Sequence, residues 1–460
     1  MQGIYALNSF KKIAFVLALS ISIGFATAFI ANEVDGKFIL YALFLLIIFA
    51  VIFLGFLSSY RTKGYLDILS PYVYFPLMYL VVYGVGPHKA ITLNEEKGYQ
   101  VLLIIFGGFL MYLMGALFVS SILMKREQNS KNMKNLQKEE TLIQVKRRYT
   151  KIKKYSFYIG VVAMVAFWTK AKGIPALMPD LENSRVAALE GNGIPYYFSM
   201  SIMVSVWIYF MQDVKIKKQA IYLIIGVALL MSTGWRNTSV ALICVAILLY
   251  HYRKPIPFKK LVITGITLVV VITVSGLFRI YSSNLQGYEL MTMMESGNYI
   301  GAFFSYLYSY PVVFTDNLIL VLDGFSMSKQ FLHGASLVWN FFLLIPGYDI
   351  QAFDFVLKDY LGRGFAGGGL PPTLLGDLYL NFGYMGILIG MIMVGALNSF
   401  LHHKFMNNRN NLVGLASIIA LYYLSVSIRG GLENITLITT WLLILVLVLS
   451  KMSKYKVKIG

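Results

Sequence analysis

The chain has 460 residues, 58% of them hydrophobic and only 13% charged, with a net charge of +19. Apolar runs near 20 residues recur from end to end, the length a bilayer-spanning helix needs, and this excludes an ordinary soluble enzyme. The basic residues fall in the short segments between those runs, so the charge points to a membrane surface and no nucleic-acid partner is expected.

Twelve spans are predicted, at about 12–31, 38–57, 67–86, 100–124, 155–171, 194–212, 219–233, 236–250, 261–280, 375–400, 412–428 and 434–450. The first follows Lys11 and Lys12 as a signal peptide would. No small-residue cleavage site and soluble domain come after it, so it reads as a retained span. With the N-terminus in the cytoplasm, the inner segments hold nearly all the excess lysine and arginine, which places both termini inside. The fold class expected is an all-α polytopic membrane protein, with residues 1–460 as one integral-membrane domain. The inner segment 125–154 is a run of 11 basic and 3 acidic residues, suited to anionic lipid headgroups. No sustained internal repeat is visible, which tells against an inverted-repeat transporter. The only cysteine, Cys244, lies in an apolar run, so no intramolecular disulfide and no cysteine metal cluster is available.

The outer side is unequal. Between the ninth and tenth spans, residues 281–374 form a long outer loop. Within it Tyr299–Leu322 is apolar but interrupted by Pro311, Asp316 and Asn317. An interfacial or re-entrant helical hairpin is expected there, with a second such piece at Leu332–Ile345, together roofing a cavity. Another outer loop, 172–193, carries Arg185.

Four arginines stand at the predicted outer edge, against the usual inside bias: Arg236 in the tight hairpin STGWRNTS, Arg279, Arg363 and Arg429. Guanidinium groups match phosphate oxygens in bidentate fashion and stay charged, so a lipid diphosphate would suit the group. Singly, each also fits snorkelling to headgroups, or an ion pair such as Arg429 with Glu433. Asp377 lies where the glycine-rich segment passes into an apolar run. It reads either as a general base taking a proton from a sugar hydroxyl or, with Thr373, as a cap for the helix starting near Leu374. His333, Asp359 and Glu433 are further candidates for proton transfer. The glycines of Gly362–Gly369, with Gly367 and Gly368 among them, can form an anion nest or a plain hinge. Glu33 and Asp35 form an acidic pair without further ligands, so no metal and no cofactor is expected.

On three stretches the chain resembles the Wzy-type oligosaccharide repeat-unit polymerases of O-antigen and capsule pathways: TGWRNTSVALI (233–243), HGASLVWNFFLLIP (333–346) and GGGLPPTLLGDLYLNFGYMGILIG (367–390). Two departures stand out. Gly347 follows Pro346 where many relatives carry arginine, and Asp377 stands where relatives often have glutamate. The resemblance implies undecaprenyl-diphosphate-linked oligosaccharides as donor and acceptor, on the outer leaflet of a bacterial inner membrane. It implies a metal-independent glycosyltransferase of GT-C-like fold, working beside a chain-length-regulating co-polymerase. A flippase for lipid-linked sugars would share the span count, but would want its charges near the midplane. A ligase of similar build generally carries a loop histidine followed by Asn, Ser or Gln, whereas Gly334 follows His333.

Overall fold

A computed structural model describes residues 36–130, 142–212, 214–282, 289–328, 330–345, 350–364 and 368–455, and these are helical without a strand. The first half contains α1 (Gly36–Lys63), α2 (Tyr74–Tyr83), α3 (Gly86–Leu93), α4 (Glu95–Ser130), α5 (Leu142–Lys170) and α6 (Leu181–Leu189). It continues with α7 (Gly193–Ser199), α8 (Ser201–Met211), α9 (Ile216–Met231) and α10 (Arg236–Arg253). Then come α11 (Phe258–Ser282), α12 (Glu289–Glu295), α13 (Tyr299–Ser328), α14 (Ala335–Trp339) and α15 (Phe353–Tyr360). The chain closes with α16 (Thr373–Asn407), α17 (Leu412–Gly430) and α18 (Glu433–Tyr455).

Among the described residues, six stretches are long and apolar enough to cross a membrane: Ile39–Lys63, Glu95–Leu123, Gly193–Met211, Phe258–Ser282, Thr373–Asn407 and Leu412–Gly430. This is a polytopic, all-helical membrane protein. The span expected at 12–31 lies outside the described residues, as do Glu33 and Asp35. Each of the other eleven falls on a helix or on two short ones. The third begins in turns at 67–73, so that only α2 fills it, and the sixth is broken between α7 and α8. The basic segment 125–154 is helical at both ends, where α4 runs on to Ser130 and α5 starts at Leu142.

One expectation fails in an instructive way. Tyr299–Leu322 belongs to a single 30-residue helix, α13, not a hairpin. An interior proline costs a helix roughly 3 kcal/mol. Here α13 is packed along its length, burying Val312, Phe314, Leu318 and Val321 in the core that α1–α4 and α16 build. Asn317 is satisfied by donating to the Pro371 carbonyl at 3.2 Å. Tertiary burial outweighs the local breakers.

Two cores lie side by side. One joins α1–α4, α13, α15 and α16; the other joins α5, α7, α8, α10, α17 and α18. In the first, α4 and α16 cross at contact distance because Gly115 and Gly395 meet the opposing backbone. A small third cluster gathers α11, α12 and the start of α13. The candidate site sits where these three groups meet.

Candidate functional site

Arg236 is the first residue of α10, after a turn in which Gly234 has φ +81° and the Thr233 hydroxyl accepts from the Trp235 amide at 3.3 Å. A helix N-terminus carries partial positive charge, so a cation there adds to a field that favours an anion. Its guanidinium donates to Tyr306 Oη at 3.2 Å and to Ser275 Oγ at 3.4 Å. Arg429, in the last turn of α17, donates to Tyr310 Oη at 2.5 Å. Tyr306 and Tyr310 are one turn apart on α13 and stack with centroids 5.7 Å apart. Arg236, Arg279 and Arg429 all bear electrostatically on Tyr310. Three of the four expected arginines therefore converge on one tyrosine pair, although they lie on three different helices.

Arg236 and Arg279 also line a cavity of about 470 Å³. Its walls are otherwise mostly apolar: Trp168, Leu177, Leu181, Leu229, Met231 and Phe278. The inner wall of α11 supplies Arg279 and Ser275, while most of that helix's apolar surface is exposed at residues such as Val262, Ile266, Val270 and Val274. A cavity with two cations and apolar walls, beside a helix that lipid must cover, suits an amphiphile with an anionic head.

Asp377 stands at a second, adjoining locus, which His333 joins only through its backbone and beside which Glu433 is buried. Asp377 is fully buried. Its Oδ1 accepts from Ser336 Oγ at 2.6 Å and from Asn381 Nδ2 at 3.1 Å, and its Oδ2 accepts from the Leu432 amide at 2.7 Å. In the first turn of α16 the Thr373 hydroxyl accepts from the Gly376 amide at 3.3 Å, without Asp377 sharing in it. Asp377 instead ties α16 to α14 and to the turn between α17 and α18. His333 is exposed, with φ +48°, and its amide donates to the Asn381 carbonyl at 3.1 Å. Glu433 is buried one residue beyond the amide that Asp377 holds.

This second locus exists because α16 breaks. Phe382 and Gly383 leave helical geometry, Gly383 with φ +63°. The break frees the carbonyls of Leu380 and Asn381, and the amides of Leu332 and His333 take them at 2.9 and 3.1 Å. The Asn381 side chain completes the clasp by accepting from the Gly334 amide at 2.8 Å. Backbone groups released inside an apolar bundle must find such partners.

Arg363 is exposed in the turn after α15, and nothing described joins it to the tyrosine pair. Gly368 is partly buried, and Gly367 lies outside the described residues. Asp359 is exposed on α15. Sequence reasoning passed over Tyr306 and Tyr310, because two tyrosines one turn apart in an aromatic-rich helix carry no distinguishing pattern. It noted Arg185 without giving it a role. The structure buries Arg185 with its guanidinium 4.1 Å over the Trp235 ring, next to Arg236.

The sequence profile of the O-antigen polymerase family matches residues 8–297 of this chain, well over half its length. The chain belongs to that family. The match covers Arg236 and Arg279, while the Asp377 locus and Arg429 lie beyond it. Membership makes this polymerase an enzyme that builds polysaccharide from lipid-linked oligosaccharides. No curated protein and no solved structure matches the chain, so its GT-C likeness stays an expectation of the sequence resemblance.

Proposed function

We propose that this protein is a glycosyltransferase that joins undecaprenyl-diphosphate-linked repeat units at the outer face of a bacterial inner membrane. The growing glycan is the donor, and the sugar hydroxyl of a new lipid-linked unit is the acceptor. The observation that carries this reading is the convergence of Arg236, Arg279 and Arg429 on Tyr306 and Tyr310 at the rim of an apolar cavity. The cavity walls take the start of the lipid, and the arginines take its diphosphate. As the glycosidic bond breaks, charge builds on the leaving diphosphate, so cations fixed beforehand stabilise the transition state more than the ground state. Until substrate arrives, the tyrosine hydroxyls hold Arg236 and Arg429 in place. Asp377 acts in this reading as a positioning residue, since its oxygens are already engaged by Ser336, Asn381 and the Leu432 amide. The basic segments on the opposite side support twelve crossings with both termini in the cytoplasm.

The test is the length profile of lipid-linked and surface glycan in a deletion strain complemented with wild-type protein or with Arg236→Ala at matched protein level. Single repeat units at the surface, with polymer restored only by wild type, support the reading. Single units trapped on the cytoplasmic leaflet would make the protein a flippase. Polymer that stays on its lipid carrier would make it a ligase.

A further inference from the structure

A polymerase of this kind needs a group to take the proton from the attacking hydroxyl, and no carboxylate is described within the arginine cluster. Among the carboxylates expected from the sequence, Asp377 is fully engaged, Glu433 is already engaged beside the turn that Asp377 holds, and Asp359 is exposed on α15. Asp354, in the first turn of α15, is different. Its position is fixed from two sides. The neighbouring Phe353 amide donates to Asn340 Oδ1 at 2.9 Å, and the Asp354 carbonyl accepts from the Leu370 amide at 2.8 Å. Yet its Oδ1 is buried with no hydrogen-bond partner. A buried acceptor left open costs roughly 1–3 kcal/mol, so its retention wants a reason.

The surroundings supply one. The Gly369 backbone lies directly on the carboxylate: a Cβ at that position would stand 2.4 Å from Asp354 Cγ, so only glycine fits. The charged and titratable groups that face Asp354 are Arg185 from α6, Tyr197 from α7 and Lys358 from its own helix. Arg185 in turn packs over Trp235, the residue before Arg236. Arg185 thus bears both on the Asp354 carboxylate and on the residue next to Arg236.

We propose that Asp354 is the catalytic base of the polymerisation, an inference that rests on the reading above. The acceptor hydroxyl attacks the anomeric carbon of the donor. The new C–O bond forms as the bond to the diphosphate oxygen breaks, and the leaving diphosphate keeps that electron pair. The hydroxyl proton passes to Asp354 and from there to water. Burial pushes the Asp354 carboxyl up to about 6, against the opposing pull of the first-turn amides of α15, Arg185 and Lys358. A base so tuned is ionised at neutral pH and still accepts a proton readily.

The experiment uses membranes of a deletion strain carrying full-length wild-type or variant protein, supplied with lipid-linked repeat units extracted from the same strain. Polymer formation is followed from about pH 5 to about pH 8, a range chosen to bracket the base's ionisation. Wild type should lose rate on the acid side with a midpoint near 6. Asp354→Asn should lose at least about 100-fold at every pH, and Asp354→Glu should recover part of that. Arg185→Met should move the acid limb to higher pH, because a cation that favours the carboxylate is gone. Asp354→Asn polymerising within a few-fold of wild type overturns the proposal, and so does an acid limb unmoved by Arg185→Met. The second readout decides the matter even if Asp354→Asn fails to accumulate. Wild-type protein that makes no polymer in this assay removes the polymerase reading and the base together.

Discussion

The two ends of α10 treat charge in opposite ways. The helix has 18 residues, so its ends stand about 27 Å apart. At its C-terminal end, Tyr252 donates to the buried carboxylate of Asp67, which also receives Lys63 and, at 3.0 Å, His402 Nε2. Arg409 lies over the Tyr65 and Tyr252 rings, and Arg253 donates to the carbonyls of Phe210 and Gln212. There the Asp67 carboxylate is matched by Lys63 and His402, while Arg253 and Arg409 are taken up by carbonyls and aromatic rings. At the N-terminal end, Arg236 and Arg429 are held by tyrosine and serine hydroxyls. A phenol orients a guanidinium without neutralising it, so the end that looks less complete is the one able to receive an anion. In the proposed reading the same helix is a structural anchor at one end and a binding device at the other.

That contrast can be broken by mutation. The largest effect on turnover is expected from Arg236→Ala with Arg429→Ala: polymer should fall by at least about 10²-fold at unchanged protein level, measured by glycan length profile. Normal polymer from the double variant would make these arginines ordinary membrane anchors. Asp67→Asn should do the reverse, costing about 3–5 kcal/mol of stability in a thermal melt while turnover per folded molecule holds. The pH sign follows. Burial alone would raise the Asp67 carboxyl, but His402 and Lys63 outweigh it and hold it well below the usual range. Its stabilisation is thus present above the unfolded value of about 4 and lost as pH falls below it. Wild type should lose stability in acid below that point, and Asp67→Asn should show a flatter profile.

Smaller effects sharpen the picture. Asp377→Asn places an amide donor against the Leu432 amide or the Asn381 amide, and should cost about 1–3 kcal/mol of stability. A stably folded Asp377→Asn protein without any turnover would return the role of base to Asp377. The mildest change is Tyr306→Phe with Tyr310→Phe. It removes the hydroxyls that hold the two guanidinium groups and should raise KM several-fold with a smaller change in kcat, read from polymer formation against lipid-linked unit concentration. An unchanged KM would mean that the stacked pair orders nothing.

Much of this was legible in the primary structure. The apolar runs gave the helices, since length and composition are enough to name a segment that must satisfy its own backbone within lipid. The arginines were visible for the same reason: charge is rare beside apolar runs, so each exception shows. What was hidden depended on partners distant in the chain. Pro311 looked like a breaker because the packing of α13 against two neighbouring layers cannot be read from residues 299–328. Asp377 looked open because Ser336 and Leu432 are far from it in sequence.

The sequence by itself therefore determined the class of molecule, its helices and the residue types able to meet a diphosphate. Tertiary structure alone decided which of them act together. Hydropathy is a property of each segment, whereas a hydrogen bond to Asp377 or an open oxygen on Asp354 exists only once several segments have packed.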